Sequence, residues 1–285
     1  GLDIPAGNGV LDLSEPPRAE ELEDAYARYA GHHALGLHRQ PKAYQNTGTP
    51  EPFYTFHVTM GFVPLQALRA EAKKYGASIT EYLSAVLIYV ILEKQKREKP
   101  YRLRPVALAV PINLRGWFPT ETLRNFITMV YPSIDPRLGD YTFEEIVTQV
   151  HHYMRYYINS KFLRGDITTN ASTQRNPLIR IVPLFLKDFV VRQFYQRVQD
   201  KNSSAGLTNM GAIRVPDDMK PYLERFDIYM GIPYSQRTNC AIVSFEDTLT
   251  VNFASCIIEA DVERRFFQKL VEDGIPVTIE SNREL

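Results

Sequence analysis

Cysteine is scarce in this chain and tryptophan almost absent: Cys240, Cys256 and the single Trp117 are all it has among 285 residues. Two thiols without metal-ligand spacing cannot build a disulfide scaffold, and they fit a reduced, cytoplasmic setting. Neither sign of charge is in excess, with 33 Lys+Arg against 33 Asp+Glu. No global field therefore draws the chain to nucleic acid or to an anionic membrane. Long apolar runs are missing as well. Leu83 to Leu92 and Ile181 to Phe185 are too short to span a bilayer, and no signal peptide is visible. There is no glycine-rich phosphate loop, no serine in a nucleophile elbow and no cysteine–histidine cluster for a metal. Internal repeats and low-complexity segments are also lacking.

What is present is an ordinary globular composition, 44% hydrophobic and 23% charged, in a chain long enough to bury a substantial core. The organising stretch is Arg104 to Pro132. Pro105 to Ile112 and Phe126 to Tyr131 read as two buried strands joined by a corner. At that corner Asn113, Arg115, Arg124 and Asn125 form a polar cluster, which either ties the sheet ends together or lines a site.

The rest of the chain alternates helices and strands. Residues 1–15 read as a linker. Ser14 is expected to cap a helix reaching Ala30, and residues 31–52 to run as a long surface excursion. A strand follows over Phe53 to Phe62, then a helix from Pro64 to Tyr75 closed by Gly76. Ser78-Ile79-Thr80-Glu81 is a capping-box pattern before a helix from Tyr82 to Lys96, apolar nearly all round. Thr142 to Glu145 is a second capping box, opening a helix toward Phe162. Residues 165–176 look loop-like, and Pro177 to Gln199 looks helical and apolar, with Pro183 interrupting it. Strands are expected at Ala205 to Val215, Arg225 to Pro233, Ala241 to Phe245 and Leu249 to Ala254, with a short helix over Pro216 to Glu224. Glu246-Asp247 turns the last two strands into a hairpin. A helix from Asp261 to Glu272, ended by Gly274, and a short strand over Pro276 to Ile279 complete the chain. The pattern predicts an α/β architecture, a mixed β-sheet with packed helices.

The histidines do not assemble a catalytic set. His32-His33 lie in a loop-like stretch with no carboxylate close behind. His151 and His152 are adjacent on a helix and point in different directions. His57, mid-strand among apolar neighbours, is either a satisfied core histidine or a site residue. Core packing, rather than peripheral membrane attachment, accounts for the aromatic stretch Ile179 to Arg197, whose polar face is not strongly basic.

Several segments taken together resemble the chloramphenicol acetyltransferase-like superfamily, which includes condensation domains of nonribosomal peptide synthetases and alcohol acetyltransferases. They are Ile112-Asn113-Leu114-Arg115, Arg124-Asn125-Phe126-Ile127, Leu207-Thr208-Asn209-Met210-Gly211 and the hairpin from Cys240 to Ala254. The resemblance implies an acyltransferase that moves an acyl group from coenzyme A or a carrier-bound phosphopantetheine thioester to an alcohol or amine. It implies no permanently bound cofactor and no metal. The family's general base is the second His of an HHxxxDG motif, which this chain lacks; HHALGLH has neither the Asp nor the Gly. The chain, which begins Gly1-Leu2-Asp3, is thus expected to be the C-terminal half of a longer protein and inactive alone. Residues 1–52 would lead in from an N-terminal subdomain, residues 53–285 would form the C-terminal subdomain, and the exposed half would self-associate. By position, Arg115 matches a structural arginine whose Asp partner belongs to HHxxxDG, and Asn125 matches the strand leading into the channel. Thr208, Asn209 and Gly211 match the channel-lining strand, with His57 as a further candidate. The DFGWG-type motif expected before Cys240 is absent. A non-catalytic module that binds acyl or pantetheine groups is the alternative.

Overall fold

The computed structural model describes residues 16–32, 42–52, 55–98, 102–175, 201–232 and 236–283, with isolated positions between 183 and 188. Among them the helices are α1 (Ala25–Tyr29), α2 (Leu65–Lys74), α3 (Ile79–Glu98), α4 (Phe143–Tyr157), α5 (Ser160–Arg175) and α6 (Asp261–Glu272). The strands are β1 (His57–Pro64), β2 (Val106–Asn113), β3 (Ile127–Val130), β4 (Ser133–Ile134), β5 (Ala205–Ala212), β6 (Thr238–Phe245), β7 (Thr248–Ser255) and β8 (Thr278–Ser281). They form one mixed sheet in the order β3-β2-β5-β6-β7-β1-β8, with β4 also paired to β2. β2, β5 and β6 run parallel, and the β6–β7 hairpin turns at Glu246, which adopts φ 51°.

The core explains why the sheet is one-sided. α3 is buried on nearly every face because it is sandwiched between the sheet and the outer helices α4 and α6. Its N-terminus is fixed as the capping pattern requires: the Ser78 amide donates to Glu81 at 2.7 Å and the Glu81 amide donates to Ser78 Oγ at 3.3 Å. Thr142 and Glu145 cap α4 in the same reciprocal way. Val106, Leu108, Leu207, Ile242, Val251 and Phe253 face these helices. At Gly61 on β1 the backbone approaches α6 so closely that a Cβ would lie 2.1 Å from the Phe267 ring. A second, smaller core of Ala25, Leu114, Phe118, Phe126, Leu163 and Ile167 joins α1, α5 and the β2–β3 corner.

Several segments depart from the pattern reading. The helix expected to reach back to Ser14 is only α1, because the Asp24 carboxylate accepts from the Ala27 amide and caps it there. The Glu21 and Glu23 carbonyls are taken by Thr122 instead of a helical ladder; Ser14 lies outside the described residues. Residues 165–175 are helical, not loop. Thr168 and Thr169 donate to carbonyls four residues back, which satisfies polar side chains inside a helix. The break falls earlier, where Asn159 Oδ1 accepts from the Lys161 and Phe162 amides. Residues 225–232 form no strand. They cross the sheet face opposite the helices, with the Ile228 and Gly231 carbonyls held by the amides of Asn252 and Asn239. The helix expected over Pro216 to Glu224 is only a 3-10 turn at Lys220–Tyr222. The lead-in is no surface excursion throughout: Ala43, Tyr44 and Asn46 are buried, against the starting ends of β2, β5 and β6. Most of Pro177 to Gln199 lies outside the described residues.

Candidate functional site

β2 and β5 are partners for only two positions, Leu108 with Ala205 and Ala109 with Gly206. Beyond them the strands part. β2 keeps β3 as its partner over Val110 to Asn113, while β5 stays with β6. The sheet therefore opens between the C-terminal ends of two parallel strands, which is where open α/β sheets place ligands.

A bulge shapes the β5 side of this opening. The β5–β6 register shifts between Asn209 and Ala212, and Gly211 adopts φ +78°, a conformation that glycine takes without strain. Asn209 holds the bulge from both ends of its amide. Its Oδ1 accepts from the Gly211 amide at 2.8 Å, and its Nδ2 donates to Thr80 Oγ1 on α3 at 2.9 Å. Both groups of Asn209 are thereby committed to the scaffold. Thr208, half-buried, points to the face opposite Leu207, away from the helices.

On the β2 side Arg115 closes the corner. Its Nη2 donates to the Thr122 carbonyl at 2.8 Å and to the Arg124 carbonyl at 2.6 Å, while Asn113 Oδ1 receives the Arg115 amide at 3.0 Å. Two of the guanidinium nitrogens, Nε and Nη2, thus find carbonyl partners inside this chain. Asn125 is exposed at the same corner. The corner is fastened to α1 by Tyr26, whose hydroxyl donates to the Ile127 carbonyl and accepts from the Ile127 amide at 3.1 Å. Burial pushes the Tyr26 phenol up. The Ile127 bond and nearby Arg115 oppose that shift, and the Asp166 and Asp24 carboxylates add to it. Thr128 on β3 donates to Asp166 on α5. Tyr26, Thr122, Thr128 and Asp166 were not legible as site neighbours, since their contacts join segments 38 to 101 residues apart.

The remaining candidates stand elsewhere. His57 opens β1, at the end of the sheet where the parallel strands begin, and its Nε2 lies 2.5 Å from Glu51 Oε1. The structure does not bring it to the opening beside Thr208. His151 Nδ1 lies 3.2 Å from Glu81 Oε2 on the outer face of α3, and His152 and His32 are exposed. His33 is outside the described residues, as are residues 233–235 in the loop before Cys240. Cys240 itself is fully buried, and burial pushes its thiol well up. Among the described residues no three His, Cys, Asp or Glu side chains gather as a metal site. No single described helix is long and apolar enough to cross a membrane.

No protein-family model matches the sequence, and no curated protein is significantly similar to it. Solved structures are similar in fold. A trichothecene 15-O-acetyltransferase from Fusarium sporotrichioides superposes with a TM-score of 0.53 at 12% identity, over 81% of this chain and 48% of that one. The nonribosomal peptide synthetase FmoA3 superposes with a TM-score of 0.53 at 14% identity, over 82% of this chain and 23% of that one. The chain spans about half the length of the first and about a quarter of the second. At such identities the likeness speaks to architecture alone: the chain shares the mixed α/β fold of that acetyltransferase and of part of that synthetase, the fold that its resemblance to the chloramphenicol acetyltransferase-like superfamily implies.

Proposed function

We propose that this chain forms one wall of an acyl-transfer channel, with the opening between β2 and β5 as that wall. The observation that carries the reading is the parting of these strands after Ala109 and Gly206, in a fold shared with an acetyltransferase and a peptide synthetase. The donor is a thioester of coenzyme A or of a carrier-bound phosphopantetheine, and the acceptor is a small-molecule alcohol or amine. A base removes the acceptor proton, the acceptor oxygen or nitrogen attacks the thioester carbonyl, and the tetrahedral oxyanion collapses to expel the thiolate, which takes up a proton. Thr208 donates a hydrogen bond to an acyl or pantetheine carbonyl. Asn209, Gly211 and Arg115 shape the opening: Asn209 Oδ1 and Nδ2, the Gly211 amide, and Arg115 Nε and Nη2 are already engaged in the scaffold. The base is the second His of an HHxxxDG motif supplied by a subdomain outside these 285 residues.

Replacing that histidine by alanine in the complete protein is expected to abolish acyl transfer while acyl-coenzyme A binding persists. Full activity in the variant would overturn the assignment. A second reading, a non-catalytic module that holds an acyl or pantetheine group, is favoured by one observation: none of the described histidines stands at the opening. Saturable acyl-coenzyme A binding by the complete protein without turnover of any alcohol or amine would select it.

A further inference from the structure

Away from the β2–β5 opening, a cavity of about 210 Å³ lies between the C-terminal half of α3 and the connection from β4 to α4. The sequence fixes both walls. Asp135 caps the 3-10 turn Pro136–Leu138 and pairs with Arg137 at 2.5 Å, while the Thr142 box fixes the start of α4. Between these anchors Gly139 takes φ +133°, and the connection leaves a hollow against α3. The hollow is lined by Tyr89, Leu92, Leu103, Pro136, Tyr141 and Ile146. Glu93, Gln95, Lys96 and Asp140 complete the lining, and a concave site that combines apolar walls with a few placed polar groups is the usual form of a small-molecule site.

The lining also restricts what fits. Its charged and amide groups already have partners. Glu93 accepts from Tyr89 at 3.0 Å and from Arg265 at 2.8 Å, and Gln95 makes two bonds to the backbone of Arg104. Lys96 and Asp140 pair at 2.5 Å across the hollow, and both are exposed. A charged ligand would have to break one of these pairs in a partly apolar space, which is unfavourable. The carboxylates of Glu93 and Asp140 each keep lone pairs that can accept a further bond.

We infer that this cavity is a second binding site, one that takes an uncharged aromatic molecule of single- or fused-ring size carrying one N–H or O–H donor. It is separate from the proposed acyl channel and independent of that reading.

Indole is the direct probe, and benzoate is the charged control of similar size. Indole is expected to raise the thermal midpoint of the chain saturably, as mass action requires of a ligand bound only by the folded state. Leu92→Phe, which fills the hollow, is expected to weaken indole binding by at least about tenfold in calorimetric titration, with benzoate ineffective on both proteins. Should Leu92→Phe not fold, Leu103→Trp at an exposed position of the lining serves as the filling variant, with the same loss expected. Absence of indole binding, equal binding to the filled variant, or benzoate binding as strong as indole would each overturn the assignment.

Discussion

Asn209 and Thr208 are neighbours with opposite work, and the difference is visible only in where their polar atoms go. Both amide groups of Asn209 are bound inside the protein, to Gly211 and to Thr80. Asn209→Ala therefore removes two hydrogen bonds at the bulge and is expected to lower stability by about 1–2 kcal/mol, measured by denaturant unfolding. Thr208→Val keeps the shape of the side chain and leaves the bulge untouched. It is expected to keep the wild-type unfolding midpoint yet slow acyl transfer by the complete protein about tenfold or more. If Thr208→Val instead lowered the unfolding midpoint while leaving the rate of the folded protein intact, the division of roles would be reversed. Arg115 carries a related lesson. Ile112-Asn113-Leu114-Arg115 singles out Arg115 by resemblance alone, and nothing in that stretch points to its partners. They are the carbonyls of Thr122 and Arg124, and carbonyls leave no mark in a sequence.

At the scale of elements, periodicity and capping chemistry located what local forces decide. α2, α3, α4, α6 and the β6–β7 hairpin lie where apolar spacing, reciprocal Ser/Thr–Glu boxes and terminal glycines put them, within a few residues. The failures share a cause. Residues 165–175 look loop-like because their side chains are polar, yet Leu163, Ile167 and Ala171 recur at helical spacing and bury one face. Residues 225–232 alternate like a strand, but cross the sheet on side-chain amides supplied by Asn239 and Asn252, contacts set by tertiary structure.

The lead-in shows the same dependence on distant partners. Thr49 is held by Glu259, its hydroxyl donating at 2.7 Å and its amide at 2.8 Å. The Thr49 hydroxyl above all, then backbone amides of Glu259 and Thr49, hold the Glu259 carboxyl below its ordinary value of 4.5. A carboxylate with a lowered native pKa contributes stability above its unfolded value and loses it as pH falls through the native one. The thermal midpoint should accordingly fall on acidification below about pH 4.5. It should fall less steeply in Glu259→Gln, which has no proton to take up there. Parallel acid limbs in the two proteins would show that the clasp does not couple to folding.

For the molecule as a whole, the sheet and its helices make a core that is closed on the α3 side, while the end near the β2–β3 corner keeps large apolar side chains in solvent. Leu22 precedes α1, and Trp117 and Leu123 flank the corner; their exposures are 50%, 42% and 61%. The segments that carry Leu22 and Leu123 are joined where the Leu123 amide donates to the Glu21 carbonyl at 2.9 Å. Chain segments here are fastened tightly, through Tyr26, Thr122 and Arg115, so the apolar groups are presented on a fixed surface and do not fold inward. Fixed exposed apolar surface drives association when nothing covers it. The 285-residue chain is therefore expected to self-associate at micromolar concentration in light scattering coupled to gel filtration. Leu123→Glu with Trp117→Glu should return it toward monomer, since neither side chain belongs to the buried core. A wild-type chain that runs as a monodisperse monomer would mean that this corner is stable in water as it stands, and that apolar exposure there does not mark an interface.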